Sequence, residues 1–248
     1  MIPKIIHYCW FGRNEKSEKI KFCMDSWKKY LPDYEIIEWN EDNFHINEIK
    51  YVNEAYDKKK WAFVTDYVRA YALYKKGGIY LDTDVEITGN LDTFLTHGAF
   101  SGFESKGYPF TALWGANKGH HWPKKVLDFY NNESFKGETN TVYVSKILET
   151  EYGINPKDDN IQNYNNDIFI YPSNYFCLNF RNYAIHHFEG SWVPSELKNN
   201  VSENLKNLFI IDNFTKKKSF IQCLNILLNE YKISKFDLLK LSIKKFME

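Results

Sequence analysis

The sequence is poor in cysteine, and its few cysteines form no metal-binding or redox motif. Four occur in 248 residues, without a CxxC pair: Cys9, Cys23, Cys177 and Cys223. This spacing argues against a zinc knuckle and against a disulfide framework. We therefore expect a reducing compartment and predict a cytoplasmic protein.

Long apolar runs and an excess of one charge sign are also lacking. No stretch reaches about 18 uncharged apolar residues, so no membrane-spanning helix is predicted. The apolar run in the amino-terminal MIPKIIHYCWFG is too short for a signal peptide. Lysine plus arginine and aspartate plus glutamate both total 32, so we expect no nucleic-acid partner. A hydrophobic content of 44% and an aromatic content of 18% instead predict a folded core.

The charge is nevertheless distributed unevenly along the chain. Residues 199–248 contain nine lysines and five acidic residues, a difference of +4, which leaves residues 1–198 at −4. Apolar residues recur at helical spacing in the basic segment, for example Leu224, Leu227 and Leu228. We predict a helical extension there, following a larger domain over residues 1–198. The extension either forms a helical cap on the catalytic domain or binds peripherally to the anionic inner face of the plasma membrane.

The periodicity of apolar residues predicts a mixed α/β fold. KIIHYCW at residues 4–10 and YEIIEW at residues 34–39 have the pattern of buried strands, with a helix between them. WAFVTDYVRAYALYKKGG is the strongest helical pattern, and the strand IYLD follows it. Further strands are predicted at residues 100–104, 110–116, 168–171 and 184–188, and helices near residues 47–60, 124–131 and 142–151. Ligands of such sheets bind beyond the carboxyl ends of the strands, which is where IYLD ends.

GGIYLDTDVE places two carboxylates, Asp82 and Asp84, at the end of that buried strand. Two like charges so close raise each other's pKa unless a cation lies between them. Three interpretations follow: a divalent metal binds the pair, an arginine binds the pair, or the pair lies in a solvated turn. Mg²⁺ and Mn²⁺ favour one or two protein carboxylates completed by phosphate oxygens and water. The pair is therefore a candidate metal site.

Charged residues interrupt the apolar helix just upstream of this strand. Asp66 and Arg69 are three residues apart on it, so they share one face and can pair. Either they form a surface ion pair, which stabilises little, or they line a cleft. Because the rest of AFVTDYVRAYAL is almost entirely apolar or aromatic, the cleft interpretation is as well supported as the surface one.

Two adjacent histidines in YAIHHFEGSW, His186 and His187, lie at a predicted strand end. Side chains alternate between the faces of a strand, so only one of the two can face the cleft. A neutral imidazole there would be a third metal ligand and would shift the preference from Mg²⁺ towards Mn²⁺. The other adjacent pair, His120 and His121, is interpreted as structural.

Three segments resemble, in this order and spacing, the DxD-containing glycosyltransferases of family 32, which belong to bacterial capsule and surface-polysaccharide synthesis. They are IPKIIHYCWFG, WAFVTDYVRAYALYKKGGIYLDTDVE and YAIHHFEGSW, and the resemblance covers about residues 2–195. More distantly, they are similar to the glucosylating domains of large clostridial toxins. The resemblance implies a GT-A fold for a catalytic domain of residues 1–198, with Mn²⁺ or Mg²⁺ as cofactor. It also implies retention of configuration, a nucleotide-sugar donor such as a UDP-sugar, and a saccharide or lipid-linked acceptor.

The resemblance further implies donor-binding roles for five residues. Trp10 matches a tryptophan that stacks on the nucleobase, and Thr65 matches a residue that touches the base. Asp66 and Arg69 match residues that hold the donor sugar, and Tyr80 is expected near the donor. Without the resemblance, Trp10 and Tyr80 are equally well explained as core residues.

A second group is expected around the diphosphate. Asp84 resembles the direct metal ligand, and Asp82 resembles the residue that meets the ribose, the sugar and a water-bridged metal. His187 fits the H-x-x-G pattern of a neighbouring glycosyltransferase family, in which the histidine is a metal ligand. Ser191 and Trp192 resemble the loop that closes on the diphosphate. The predicted catalytic residues are Asp66, Arg69, Asp82 and Asp84.

Two other functions compete with a glycosyltransferase. IYLDTDVE also fits a haloacid-dehalogenase-like phosphatase motif, with Asp82 as nucleophile. That enzyme needs a later lysine and an acidic pair at a strand end, whereas KDDN at residues 157–160 has the composition of a polar loop. A non-catalytic sugar-binding module has no need of a DxD coupled to a late histidine. The sequence therefore favours a metal-dependent hexosyltransferase.

Overall fold

A seven-stranded mixed sheet forms the centre of the computed structural model, which describes residues 1–105, 108–138, 140–177 and 183–188. The strands are β1 Ile5–Cys9, β2 Glu35–Trp39, β3 Gly78–Leu81, β4 Val85–Ile87, β5 Ala99–Ser105, β6 Tyr108–Ala116, β7 Gln162–Tyr164, β8 Ile168–Tyr171 and β9 Ala184–His186. The α-helices are α1 Glu18–Tyr30, α2 Lys50–Asp57, α3 Trp61–Lys76, α4 His121–Asn131, α5 Asn140–Tyr152 and α6 Ser173–Phe176. The predicted α/β class is confirmed.

The strand order brings five carboxyl ends to one edge of the sheet. The order is β2-β1-β3-β6-β5-β8-β7. β1 is parallel to β2 and β3, and β5 is parallel to β8, while β6 runs antiparallel between β3 and β5. The strands β1, β2, β3, β5 and β8 therefore end at the same edge. We call this edge the carboxyl edge of the sheet.

A separate two-stranded sheet lies beside this edge. β4 pairs with β9 in antiparallel register, with Val85 opposite His186. Trp27 of α1 is fully buried, and its Nε1 donates to Val85 O at 2.7 Å. Neither β4 nor β7 was predicted from the sequence, because a segment of three residues is too short for a strand period to be recognised. The predicted strand at residues 184–188 ends at His186.

The strongest helical pattern forms α3 and ends as predicted at a glycine. Gly77 has φ +72°, and its N–H donates to Leu73 O at 2.8 Å. A Cβ at this position would lie 2.6 Å from Lys118 N, so the turn into β3 requires glycine. Because β3 begins at the next residue, α3 delivers the chain directly to the carboxyl edge through four buried strand residues.

Two predictions fall on residues that the structure does not describe. They are the extension at residues 199–248, with the domain boundary before it, and the loop that contains Ser191 and Trp192. Within the described ranges, no helix combines the length and the apolarity needed to cross a bilayer.

Candidate active site

Asp82 and Asp84 lie in the turn between β3 and β4, at the carboxyl edge. Asp82 N donates to Ala112 O of β6 at 2.7 Å, and Val85 N donates to Asp82 O at 3.0 Å. The side chain of Asp82 is 27% exposed and that of Asp84 is 14% exposed. The backbone of Asp82 is anchored on both sides, so the pair does not lie in a freely solvated turn.

Arg69 is the cation that α3 brings to this turn. Its Nη2 lies 3.1 Å from Asp66 Oδ1 and 3.2 Å from Asp82 Oδ1. Its Nη1 donates to Thr111 Oγ1 at 2.9 Å, and its guanidinium lies 4.8 Å from the centroid of the Tyr80 ring. Arg69 and Asp66 are both buried. The pair therefore belongs to the site and is not a surface ion pair.

Burial and charge shift the proton affinities of this pair. Burial raises the pKa of Asp66 to about 7, although Arg69 opposes the rise. Burial by itself would lower the pKa of Arg69, but Asp82, Tyr80 and Asp66 together outweigh burial and the net shift is upward. Arg69 thus stays charged, while Asp66 lies near the boundary between carboxylate and carboxylic acid at neutral pH.

Tyr80 and Thr65 hold these charged groups in position. Tyr80 is fully buried, and its hydroxyl donates to Asp82 Oδ1 at 2.8 Å. Thr65 Oγ1 donates to Ala62 O at 2.6 Å, while Arg69 Nε donates to Thr65 O at 3.3 Å. Tyr80 therefore orients Asp82, and Thr65 orients Arg69. Contacts of Tyr80 and Thr65 with a nucleotide-sugar donor remain predictions from the resemblance.

The pairing of β4 with β9 selects which histidine reaches the DxD turn. His186 lies opposite Val85, and its Nε2 lies 3.3 Å from Asp84 Oδ1. The Nε2 of His187 instead lies 2.8 Å from Glu86 Oε2. The geometry therefore differs from the sequence-based choice of His187 as metal ligand, because the imidazole beside the carboxylates is that of His186.

Asp82, Asp84 and His186 have a donor set that fits a divalent cation. One ligand atom from each lies within 4.8 Å of the others. Burial by itself would lower the pKa of His186, but the carboxylates of Asp84, Glu104 and Asp82 together raise it to about 9. A bound cation would displace this proton from the imidazole. Carboxylate oxygens with one imidazole nitrogen suit Mn²⁺, and suit Mg²⁺ less because that ion prefers oxygen. The residues thus fit the ion that the resemblance implies.

The DxD turn and α3 also carry the similarity to known proteins. Residues 17–101, which include β3 and the turn, match the family described as the glycosyltransferase sugar-binding region containing DXD motif. Over these residues the chain is similar to glycosyltransferases of the DXD type. The inositol phosphoceramide mannosyltransferase 3 of Schizosaccharomyces pombe is 35% identical over 130 residues. The match covers 51% of this chain and 36% of that relative, so it spans little more than a third of the relative's length.

A solved structure is similar in fold to this chain. The PaToxG glycosyltransferase matches 60% of this chain and 69% of its own, with a TM-score of 0.50 and 20% identity. Identity this low shows a common fold and no more. The GT-A architecture that the sequence implied is confirmed by this likeness and by the mixed central sheet.

Trp10 lies in a cleft next to the ends of β1 and β2. The cleft has a volume of about 590 Å³, and its lining includes Lys16, Glu38 and Asn40. Trp10 Nε1 donates to Asn14 O at 2.7 Å, and Lys16 Nζ lies 5.1 Å from a Trp10 ring centroid. The indole is only partly buried, so Trp10 is not an ordinary core residue. An aromatic ring in this position can offer a face to a base.

Glu104 is a residue of the site that the sequence analysis missed. It lies one residue before the end of β5, at the carboxyl edge. Burial raises the pKa of its side chain to about 7. The charged groups that act on its carboxylate are His186, Asp82, Asp84 and Arg69. The sequence did contain a signal for this residue, because Glu104 is a carboxylate at the end of the strand predicted at residues 100–104.

A second histidine and aspartate cluster is explained by hydrogen bonds. His120 Nε2 and His121 Nε2 lie 3.1 and 2.9 Å from Asp167 Oδ2. His120 Nδ1 accepts from Trp122 N at 3.1 Å at the start of α4. The proton of a neutral His120 therefore lies on Nε2, which donates to Asp167 and is not available to a metal. The cluster joins α4 to the turn before β8, as expected for a structural pair.

Proposed function

We propose that this chain is a glycosyltransferase that moves a hexose from a nucleoside-diphosphate sugar to a hydroxyl group of an acceptor, with a divalent cation. The observation that carries the proposal is the convergence of Asp82, Asp84 and His186 beside the buried Arg69 at the carboxyl edge. The DXD match over residues 17–101 supports it. The phosphatase alternative finds no support in these similarities.

Asp82, Asp84 and His186 are the residues that would hold the cation. Mn²⁺ or Mg²⁺ supplies, in such a site, charge to balance a diphosphate leaving group. Tyr80 and Arg69 orient Asp82 by hydrogen bonding to the same oxygen, Oδ1, and so leave its other oxygen for ligands. The chain thus presents a pre-oriented carboxylate and does not have to order one when substrate binds.

Arg69 acts through its neighbours in this proposal. Its guanidinium nitrogens already bind Asp66, Asp82, Thr65 and Thr111. We therefore assign it the role of fixing the two acids, with its positive charge directed at the leaving diphosphate. Asp66 is the group that would hold a hydroxyl of the donor sugar, because its high pKa allows it to accept or to donate a hydrogen bond.

The donor base would stack on Trp10, in the cleft on the β1 side of the DxD turn. We propose a UDP-sugar as donor and retention of configuration, both on the resemblance to family 32. The name of the yeast relative adds mannose to the sugars that need testing and a glycolipid to the acceptors. A saccharide or lipid-linked acceptor in surface-polysaccharide synthesis is the biological setting that we propose.

Donor hydrolysis tests the proposal without knowledge of the acceptor. The protein is incubated with UDP- and GDP-hexoses, with Mn²⁺ or EDTA, and release of the nucleoside diphosphate is measured. We expect hydrolysis of at least one donor with Mn²⁺, no hydrolysis in EDTA, and none by Asp84→Asn. Asp25→Asn, an exposed position on α1, is the matched control and should retain the activity. Activity in EDTA, or hydrolysis of p-nitrophenyl phosphate alone, would overturn the proposal.

A further inference from the structure

The carboxyl edge carries more acidic than basic side chains around the DxD turn. Four acids lie there: Asp66, Asp82, Asp84 and Glu104. Only two basic side chains, Arg69 and His186, pair with them among the residues that the structure describes. Asp66 and Asp82 pair with Arg69, and Asp84 pairs with His186. The acid left over is Glu104.

Glu104 differs from the other three acids in having no partner of its own. Within the part of the chain that the structure describes, its carboxylate makes no hydrogen bond and no ion pair, and the residue is half-buried. A carboxylate withdrawn from water without a hydrogen-bond donor costs free energy in the unliganded protein. We therefore expect a bound substrate to supply the hydrogen-bond donor for this carboxylate.

The metal does not account for Glu104. The ligand atoms that lie within 4.8 Å of one another come from Asp82, Asp84 and His186, and Glu104 is not in this group. Its backbone position also sets it apart, because the pairing of β5 with β6 is irregular between Phe103 and Ser105. Irregular pairing of this kind re-aims a side chain at the end of a strand.

The strand order indicates which substrate meets Glu104. Along the carboxyl edge the order is β1, β3, β6 and β5, so the Trp10 cleft and Glu104 lie on opposite sides of the DxD turn. A donor that reaches from Trp10 to the DxD turn uses the β1 side. The β5 side is then the side from which an acceptor can approach the anomeric carbon.

We infer that Glu104 binds a hydroxyl group of the acceptor saccharide and so positions it against the donor. The inference rests on the proposed function. A carboxylate suits this role because its two oxygens can accept hydrogen bonds from neighbouring hydroxyl groups of one sugar ring. The role requires no proton transfer by Glu104, and it leaves the metal site unchanged.

The test compares transfer with hydrolysis, since water needs no positioning by Glu104. The donor that the wild type hydrolyses is supplied with p-nitrophenyl hexosides as acceptor probes, and transfer and hydrolysis are measured together. For Glu104→Ala we expect the ratio of transfer to hydrolysis to fall roughly ten- to a hundred-fold, the effect of one charge-assisted hydrogen bond. Glu104→Gln should show a smaller loss, because its amide oxygen still accepts. Glu35→Gln, exposed at the start of β2, should retain the wild-type ratio.

Thermal unfolding supplies a readout that does not depend on turnover. Because Glu104 adds an unpaired negative charge to a cluster of acids, Glu104→Gln should unfold at the wild-type temperature or above it. A lower unfolding temperature than that of Glu35→Gln would show a structural partner and overturn the inference. Parallel loss of transfer and hydrolysis would also overturn it, by assigning Glu104 to the donor. Absence of hydrolysis by the wild type would instead overturn the proposed function, and the inference with it.

Discussion

Arg69 balances the charge of the two acids that approach it from different elements. Asp66 comes from the same helix and Asp82 from the end of β3, and both lie within 3.2 Å of Arg69 Nη2. The guanidinium can serve both acids and Thr111 because its donors point in several fixed directions. A single ammonium group in its place would have to give up some of these contacts.

We predict that Arg69→Ala lowers the free energy of unfolding by about 3–5 kcal/mol, the usual cost of leaving buried acids without their cation. Urea denaturation at pH 7 measures the loss. Arg13→Ala is the matched control, because Arg13 pairs with Asp42 while both side chains are about two-thirds exposed, at 65% and 68%. The control should unfold like the wild type. Equal stability of the two variants would contradict a buried role for Arg69.

We predict that Trp10→Ala weakens binding of the donor's nucleoside diphosphate by about 1–3 kcal/mol, the contribution of one base stacked on an aromatic ring. Isothermal titration calorimetry measures the affinity. Trp10→Phe retains an aromatic face and should bind more tightly than Trp10→Ala. If Trp10→Ala binds as the wild type does but unfolds at much lower urea, Trp10 is a core residue after all.

At the scale of elements, His7 joins three pieces of the fold. It lies fully buried on β1, and its Nε2 donates to Gly77 O, at the end of α3, at 2.8 Å. Its Nδ1 accepts from Trp39 Nε1, at the end of β2, at 3.2 Å. Both ring nitrogens are thus satisfied only in the neutral imidazole. Burial lowers the pKa of His7 to about 4.

This shift predicts a loss of stability in acid. The unfolded chain takes up a proton near the ordinary histidine pKa of about 6.5, whereas the folded chain does so only near pH 4. The contribution of His7 is therefore complete above pH 6.5 and is lost as the pH falls towards 4. It amounts to about 3 kcal/mol over that range.

Urea denaturation at pH 7 and pH 4.5 gives the free energy of unfolding of the wild type and of two histidine variants, and the effect of His7 is the difference between their pH dependences. The free energy of unfolding should fall more steeply for the wild type than for His7→Gln, which has no imidazole to protonate. His45→Gln, at an exposed position, should keep the wild-type slope. Equal slopes for all three proteins would show that His7 is not the group that titrates.

At the scale of the whole molecule, the basic extension at residues 199–248 is the segment that we expect to bring the enzyme to a lipid-linked acceptor. Each basic residue near an anionic surface contributes about 1 kcal/mol to binding. Truncation after Lys232 removes four lysines: Lys235, Lys240, Lys244 and Lys245. We predict that the truncated protein hydrolyses donor normally but loses salt-sensitive binding to phosphatidylserine vesicles.

Vesicle sedimentation at low and high salt measures this binding. Replacement of the same four lysines by glutamine is the matched variant, because it removes the charge and keeps the chain. It should lose binding as the truncation does. If the full chain and both variants bind equally, or if none binds, the extension is a structural cap.

Local patterns in the sequence predict the helix, the strand and the paired carboxylates at the centre of the site. The apolar period of α3, the glycine that ends it and the strand that follows put Asp82 and Asp84 at a strand end, and all of these features are present. The α/β class followed from the alternation of such segments. Local periodicity carries this information because helix and strand geometry act over a few residues.

The residues that join this turn from distant parts of the chain are set by the pairing of the strands. The β4–β9 register places His186 beside Asp84 and turns His187 to Glu86, and a shift of one residue would exchange the two. Glu104 meets the site because β5 runs parallel to β3 with β6 between them. Pairing between strands a hundred residues apart depends on the packing of the whole chain, so no local pattern in the sequence could predict it.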